Sequence, residues 1–308
     1  MSEELRAAFE KHVATLSGEH VEELVDRSAS VLAFTRTRVF KMFTREPLER
    51  TRRRHDWLAR CGNLECRYHA AELASADRGI LAMERLPGEK RLLDLFDANP
   101  FDLAQLDRVI ARVTYLQSVS NAAPLPAALS GVELIENVGK QAALLRGDTL
   151  AALAERLLAV GRRLLSKPSG AGWRPVIHGD LHAANIFVLP ERVVLIDPVF
   201  SERRARSAPG FTELASLYAD ALGLGLADVA ERIERDFASR GGVASWPVFL
   251  LSVCLKALVR YRVAKSSPDT RAALADQADD EWCSSARRVA DLVEVLLAEL
   301  VVAGGPRR

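Results

Sequence analysis

The chain has 308 residues, 49% of them hydrophobic and 27% charged, with a net charge of +1. That is room for one large domain or two lobes, and a balance so near zero supplies no general pull toward nucleic acid or a membrane surface. Cys61, Cys66, Cys254 and Cys283 lack zinc-like CxxC spacing and are too few for a disulfide scaffold, which points to core or surface thiols in a reducing cytoplasm.

The opening MSEELRAAFE is acidic and amphipathic, unlike a signal peptide. Residues 21–43 read as β structure: Val31–Thr35 and Arg38–Phe43 are runs of β-formers joined by a polar turn. After Pro47 the pattern turns helical through Leu48, Trp57 and Leu58, and Arg67–Leu86 suggests two more strands ending in ILAMERL. Leu86-Pro87-Gly88 then breaks the regularity. Beyond it, long helical patterns run near 102–120, 141–166, 211–240, 246–266 and 270–303. The most apolar of them, Val248–Val259, is short and carries Lys256, so it is no membrane span.

Residues 178–198 interrupt this helical region. Ile186–Leu189 and Val193–Ile196 are short apolar runs flanking Pro190-Glu191-Arg192, the signature of a hairpin with a three-residue loop. Counting outward from Glu191 pairs 189 with 193, 187 with 195 and 185 with 197. That register sets Asn185 opposite Asp197 at the open end, within cross-strand reach. A carboxamide beside a carboxylate offers hard oxygen donors suited to Mg²⁺, with phosphate oxygens and waters completing its shell. Asp180, five residues before Asn185, is placed to face such a site as a base for an acceptor hydroxyl. Two plainer readings compete. His178 and His182 would form a metal pair on a helix, but Gly179 and the strand that follows oppose one. An Asp- and Asn-rich stretch can also be only a turn, which leaves the paired positions at the hairpin's end unexplained.

The string HGDLHAANIFV (178–188) followed by VLIDP (194–198) resembles the aminoglycoside phosphotransferase and choline kinase group, relatives of the protein kinases. The resemblance implies an α+β, bilobal protein-kinase-like fold. Its small β-rich N-lobe (1–85) would hold the nucleotide's phosphate side, and its larger, mostly helical C-lobe (86–308) the catalytic loop and metal-binding hairpin. It implies Asp180 as catalytic base, His178 as a brace for the loop, and Asn185 and Asp197 as Mg²⁺ ligands. Lys41, the single charge in VFKMF, would pair with nucleotide phosphates; the alternative is an edge-strand lysine that discourages aggregation. Met83, Glu84 and Leu86 fall in a hinge-like segment, MERLPG, where backbone groups would meet the adenine or guanine edge; the alternative is a plain strand exit. Ser28 and Ser30 stand where a glycine-rich phosphate loop is expected. Their hydroxyls and backbone N–H groups can cap a phosphate without glycine's close approach. No obvious glutamate partner for Lys41 follows; Glu49 and Asp56 are the candidates.

After Asp197, PVFSERRARSAPGFTELASLYADALGLG, together with LKALVRYRVAK (255–265), most resembles a bacterial branch often fused to a P-loop kinase-like ATPase domain. No GxxxxGK[ST] occurs in this chain. Arg203, Arg204 and Arg206, with Lys256 and Arg260 four apart on a helix, suggest a basic acceptor wall and an anionic acceptor. Asp276, Asp279, Asp280 and Glu281 form an opposing acidic cluster. Both clusters read first as solvated faces, and the run Arg50, Arg52, Arg53 and Arg54 reads first as an exposed helical face, with RNA or another acidic partner as the lesser reading. The expectation is a cytoplasmic, Mg²⁺-dependent kinase that moves the γ-phosphate of ATP or GTP to a small-molecule hydroxyl, with neither nucleic-acid nor membrane partners. The competing expectation is a pseudokinase that binds nucleotide or a small molecule without turnover. A protein kinase is disfavoured because DFG and APE signals are missing after Asp197.

Overall fold

Helix α1 (Glu3–Ser17) carries its own start and stop signals. The Ser2 hydroxyl accepts from the Leu5 N–H at 3.3 Å, Glu3 and Glu4 favour the positive end of the helix dipole, and Gly18 ends it at φ 66° with its N–H on the Ala14 carbonyl. The computed structural model describes residues 2–26, 30–44, 46–98, 100–119, 127–165, 173–175, 178–179, 181–198, 207–209, 212–239, 246–266 and 281–303. Among these, only the backbone is described for residues 127–133, 165, 173–175, 207–209, 212, 281 and 303. The chain divides into two compact units. One holds the described residues up to Leu95, with Ala184–Pro198 and Ser266; the other holds those within Phe96–Ala183, Val199–Lys265 and Gln277–Arg308.

The first unit is built on an antiparallel five-stranded sheet of order β1-β2-β3-β5-β4. Its strands are β1 (Glu23–Asp26), β2 (Ser30–Phe34), β3 (Arg38–Phe43), β4 (Cys66–Leu73) and β5 (Ala76–Glu84). Side chains alternate across the sheet. Val31, Ala33, Phe40, Met42, Ile80 and Ala82 pack with Leu5, Phe9 and Val13 of α1, which recur every fourth residue. The other face carries Phe43, Leu81 and Met83, and with them, by alternation, Ser30 and Lys41. It is covered by α2 (Leu48–Trp57), by the π-helical turn Leu58–Gly62 that continues α2, and by the hairpin β7 (Ile186–Val188)–β8 (Val193–Leu195). Phe187, Leu189 and Val194 enter the same cluster as Phe43, Leu58 and Leu81, so the hairpin belongs to the core of this unit. Two glycines permit the close layering. A Cβ on Gly79 of β5 would lie 2.7 Å from the Thr51 Cβ of α2, and one on Gly62 would lie 2.7 Å from the Leu195 carbonyl of β8.

After the short α3 (Leu92–Leu95), the second unit is mostly helical. It comprises α4 (Leu103–Val119), α5 (Ala127–Leu144), α6 (Ala151–Leu165), α7 (Ala215–Gly223), α8 (Ala227–Ser239), α9 (Trp246–Lys265) and α10 (Ala286–Ala303), with a small ladder of β6 (Trp173–Pro175) and β9 (Ser207–Pro209). Helix α9 buries residues on nearly all sides, from Phe249 to Tyr261, because α5, α6, α7 and α10 all pack on it. Tyr218, Phe237, Trp246 and Phe249 form one aromatic cluster with ring centroids 4.9–6.0 Å apart. Among the described residues no helix is long and apolar enough to cross a membrane.

Helices expected near 102–120 and 246–266 are found as α4 and α9. The other three expectations need correction. The segment 141–166 is cut at Gly147 (φ 88°), where Asp148 accepts from the Leu150 N–H and the Tyr261 hydroxyl; α5 ends before the turn and α6 begins after it. The segment 211–240 is cut at Gly225 (φ 75°) into α7 and α8. In both places a glycine takes up the left-handed backbone that reverses the chain. Of 270–303, the described part, 281–303, is not one helix: the 3₁₀ turn Glu281–Ser284 precedes α10 (Ala286–Ala303), and residues 267–280 lie outside the described residues.

Candidate active site

The hairpin forms, in a different register from the one its composition suggests. Ile186 pairs with Leu195, Phe187 with Val194 and Val188 with Val193. The Leu189 N–H donates to the Arg192 carbonyl at 2.9 Å, and the Ile196 N–H to the Asn185 carbonyl at 3.0 Å. The loop is therefore the two-residue turn Pro190-Glu191, and Asn185 faces Ile196 rather than Asp197. Proline's fixed φ suits the first corner of a β-turn. Arg192 is kept in the ladder by its guanidinium, which donates to Glu84 Oε2 at 2.5 Å. A one-residue slip would turn a continued strand's side chains to the other face, but the strand stops at Leu195. Asp197 then takes φ 53°, a left-handed conformation that costs a residue other than glycine about 1–3 kcal/mol.

That turn delivers the Asp197 carboxylate to Lys41, whose Nζ donates to Oδ1 at 2.6 Å. Lys41 lies on β3, the central strand of the sheet, and is 4% exposed. The edge-strand reading of this lysine is thereby excluded: a buried ammonium needs an anionic partner, and Asp197 is one. Neither of the expected acidic candidates is that partner. Glu49 pairs with Arg53 and Asp56 with His55, whereas Glu46, outside both candidates, pairs with Arg50 and Arg54.

Asn185, 5% exposed, and Asp197, whose side chain is 33% exposed, occupy the end of one hairpin. A carboxamide and a partly exposed carboxylate are hard oxygen donors and fit Mg²⁺, which typically takes one or two protein oxygens and completes its shell with phosphate and water. Among the described residues no three His, Cys, Asp or Glu side chains gather into a metal cage.

Ser30 starts β2 and pairs with Phe43, which puts it on the face that carries Lys41; it is 2% exposed. Ser28 lies outside the described residues. In the hinge segment, Met83 is paired in β5 with Val39 and Cys66, and its side chain packs with Leu86 on the cluster around Phe43. The Glu84 carboxylate accepts from the Glu65 N–H at 2.8 Å and from Arg192, so it ties β5 to β4 and to the hairpin turn.

The second unit holds the HGDLH string down by its backbone. Gly179 takes φ 83°, which glycine adopts without a steric penalty. Glu213 Oε1 accepts from the N–H groups of His178 (3.2 Å) and Gly179 (2.7 Å), and Lys256 Nζ donates to the Gly179 carbonyl at 3.1 Å. Asp220 of α7 accepts from the Ala183 N–H at 2.8 Å and is itself paired with Arg260 of α9. His178 is 1% exposed and Asp220 fully buried. Residues 178–182 are not helical where described, so the helical metal pair of His178 and His182 does not form. Asp180 lies outside the described residues, and so do Arg203, Arg204, Arg206, Asp276, Asp279 and Asp280.

Two readings of charge are corrected. Arg260 is 2% exposed, paired to Asp220 and set against Trp282, so it serves the core and not an acceptor wall. The arginine run of α2 is not one exposed face: Arg54 is 17% exposed in its side chain and bonds Glu46 and the Pro198 carbonyl. Glu213, Asp220 and Arg54 were not singled out by sequence reasoning. The signal for one pair was present. Asp220 in ASLYADALG and Arg260 in LKALVRYRVAK are charges set in apolar helical surroundings, and buried charges come paired.

A model of the phosphotransferase enzyme family matches residues 25–247, well over half of the chain. Among solved structures, a choline/ethanolamine kinase family protein from Mesorhizobium loti is similar with a TM-score of 0.62 at 13% identity, covering 97% of this chain and 99% of that one. A thermostable mutant of aminoglycoside phosphotransferase APH(4)-Ia, in ternary complex with AMP-PNP and hygromycin B, is similar at TM-score 0.59, 13% identity and the same coverage. Choline kinase LicA from Streptococcus pneumoniae is similar at 0.53 and 12% identity, again over 97% and 99% of the two chains. At identities this low, the likeness shows the kinase-like α+β fold alone. No curated protein matches the sequence. The chain belongs to the phosphotransferase enzyme family, the family of small-molecule kinases that its HGDLHAAN string resembles.

Proposed function

We propose that this protein transfers the γ-phosphate of ATP or GTP to a hydroxyl of a small molecule in an Mg²⁺-dependent reaction. The observation that carries the reading is the buried Lys41 held at 2.6 Å on Asp197, joined to the family match. The similar structure that holds AMP-PNP and hygromycin B supports a nucleoside triphosphate donor and a small-molecule acceptor.

The roles follow from chemistry. Asp180 accepts the proton of the attacking hydroxyl and aims its oxygen in line with the phosphorus–oxygen bond that breaks. His178, itself buried, braces that segment. Lys41 steadies the donor's phosphates as negative charge shifts toward the leaving oxygen. Ser28 and Ser30 offer hydroxyl and N–H groups to the phosphates, and the backbone around Met83, Glu84 and Leu86 meets the base. Asn185 and Asp197 would hold Mg²⁺, which when bound screens the repulsion between phosphates and nucleophile. Residues 1–85, with the hairpin that packs on their sheet, would form the nucleotide side, and the helical remainder of 86–308 the acceptor side, of a cytoplasmic enzyme. Arg203, Arg204, Arg206 and Lys256 favour an anionic acceptor.

Transfer of labelled γ-phosphate to a panel of hydroxylated acceptors, by wild type and Asp180→Ala, tests this directly. Loss of the base typically lowers the rate about 10²–10⁴-fold. An Asp180→Ala variant with wild-type turnover would remove Asp180 from the mechanism. Metal-dependent nucleotide binding without transfer to any acceptor class would favour the non-turnover reading.

A further inference from the structure

Resting on that reading, we infer that Arg54 of α2 is a positioning residue that holds Asp197 in its metal-binding posture. Arg54 Nη1 donates to the carbonyl of Pro198, the residue after Asp197, at 2.5 Å. Its Nε donates to both carboxylate oxygens of Glu46, at 3.0 and 3.1 Å. The guanidinium sits 4.9 Å from the centroid of the Phe43 ring, and Lys41 Nζ lies 5.3 Å from the same centroid. These contacts close a ring: β3 carries Lys41 and Phe43, Lys41 holds the Asp197 side chain, and Arg54 holds the peptide that follows.

The ring matters because of what it constrains. Asp197 sits at φ 53°, which an aspartate keeps only where its surroundings over-determine it. Lys41 holds the carboxylate of Asp197 through Oδ1. The carbonyl of Pro198 is fixed from the other side by Arg54, whose planar fork bonds an acid and a carbonyl in different directions at once. Lysine has one ammonium and cannot reproduce that pair of bonds. Glu46 orients the fork, and its side chain is only 8% exposed. Nothing in this arrangement requires Arg54 to touch the nucleotide.

Calorimetric titration with ATP, with Mg²⁺ and with excess chelator, on wild type, Arg54→Ala, Arg54→Lys, Glu46→Gln and Asp197→Ala, reads this role without turnover. Losing an outer-sphere support typically lowers metal affinity about 10- to 100-fold. Arg54→Ala and Arg54→Lys should weaken Mg²⁺-dependent binding by that factor and leave metal-free binding within about twofold. Glu46→Gln, which keeps an oxygen for Arg54 Nε, should stay near wild type. Equal losses with and without Mg²⁺, in both Arg54→Ala and Arg54→Lys, would reduce Arg54 to a packing residue of α2 and overturn the inference, as would unchanged Mg²⁺ dependence. If wild type binds no nucleotide in either condition, the phosphotransferase reading falls and this role with it. If wild type and Asp197→Ala differ as expected while the Arg54 variants match wild type, only this inference fails.

Discussion

Replacing Arg260 by methionine strips the buried Asp220 carboxylate of its counter-ion. Both partners lie in the helical unit at 2% and 0% exposure, so water cannot take over. Breaking a buried pair from one side typically costs about 3–5 kcal/mol. At roughly 2–4 °C per kcal/mol for proteins of 150–250 residues, that is a fall in Tm of about 6–20 °C. Asp220→Asn should cost a similar amount, because it strands the guanidinium. The two replacements together are informative because Asp220 also accepts from the Ala183 N–H. Asp220→Leu with Arg260→Met exchanges the pair for apolar groups and should recover most of the stability. It removes the anchor of the HGDLH segment, however, so turnover stays low. Asp220→Asn with Arg260→Met keeps an oxygen for Ala183 and should recover both. Melting curves followed by phosphotransfer rates on these four variants decide the matter. Arg260→Met melting with the wild type would refute the buried-pair reasoning, and Asp220→Leu/Arg260→Met turning over normally would refute the anchoring role of Asp220.

Further expectations follow from packing and charge. Gly62→Ala drives a Cβ to 2.7 Å from the Leu195 carbonyl, which is backbone and cannot swing aside. It should destabilise by about 1–3 kcal/mol and weaken Mg²⁺-dependent nucleotide binding by shifting the hairpin that leads to Asp197, read by melting and calorimetry. Gly223→Ala drives a Cβ into the buried Trp282 ring and should lower Tm comparably, without changing nucleotide affinity. Lys41→Met removes a charged donor and should weaken nucleotide binding by about 10- to 100-fold in titrations. Burial pushes the Cys66 thiol up from 9.0 to about 12. A raised pKa in the folded state gives stability that is complete below pH 9 and is lost as the pH climbs through about 12, at about 1.4 kcal/mol per unit in that window. Wild type should therefore lose more stability than Cys66→Ala between pH 9 and 11 in denaturant titrations.

β2 and β3 were legible because runs of β-branched and aromatic residues mark strands buried in a sheet: both lie within a residue of where Val31–Thr35 and Arg38–Phe43 placed them. The hairpin's existence was legible too, but its register was not. The two-residue turn at Pro190-Glu191 and the bond from Arg192 to Glu84 decide it, and the second is a tertiary contact. Helix ends failed at Gly147 and Gly225, where apolar spacing runs through a left-handed turn without interruption. The Lys41–Asp197 pairing spans 156 positions; the two residues were each singled out, yet no local pattern could join them. Arg54 was hidden inside a run whose neighbours Arg52 and Arg53 are exposed, so composition spoke for the majority and missed the one that turns inward.

The most direct test of the phosphotransferase reading is calorimetric binding of ATP and GTP, with and without Mg²⁺, to wild type and Asp197→Ala. Metal-dependent binding of at least one nucleotide by wild type, lost in the variant, is the predicted result. Binding of neither nucleotide by wild type would contradict it and leave a kinase-like fold put to another use.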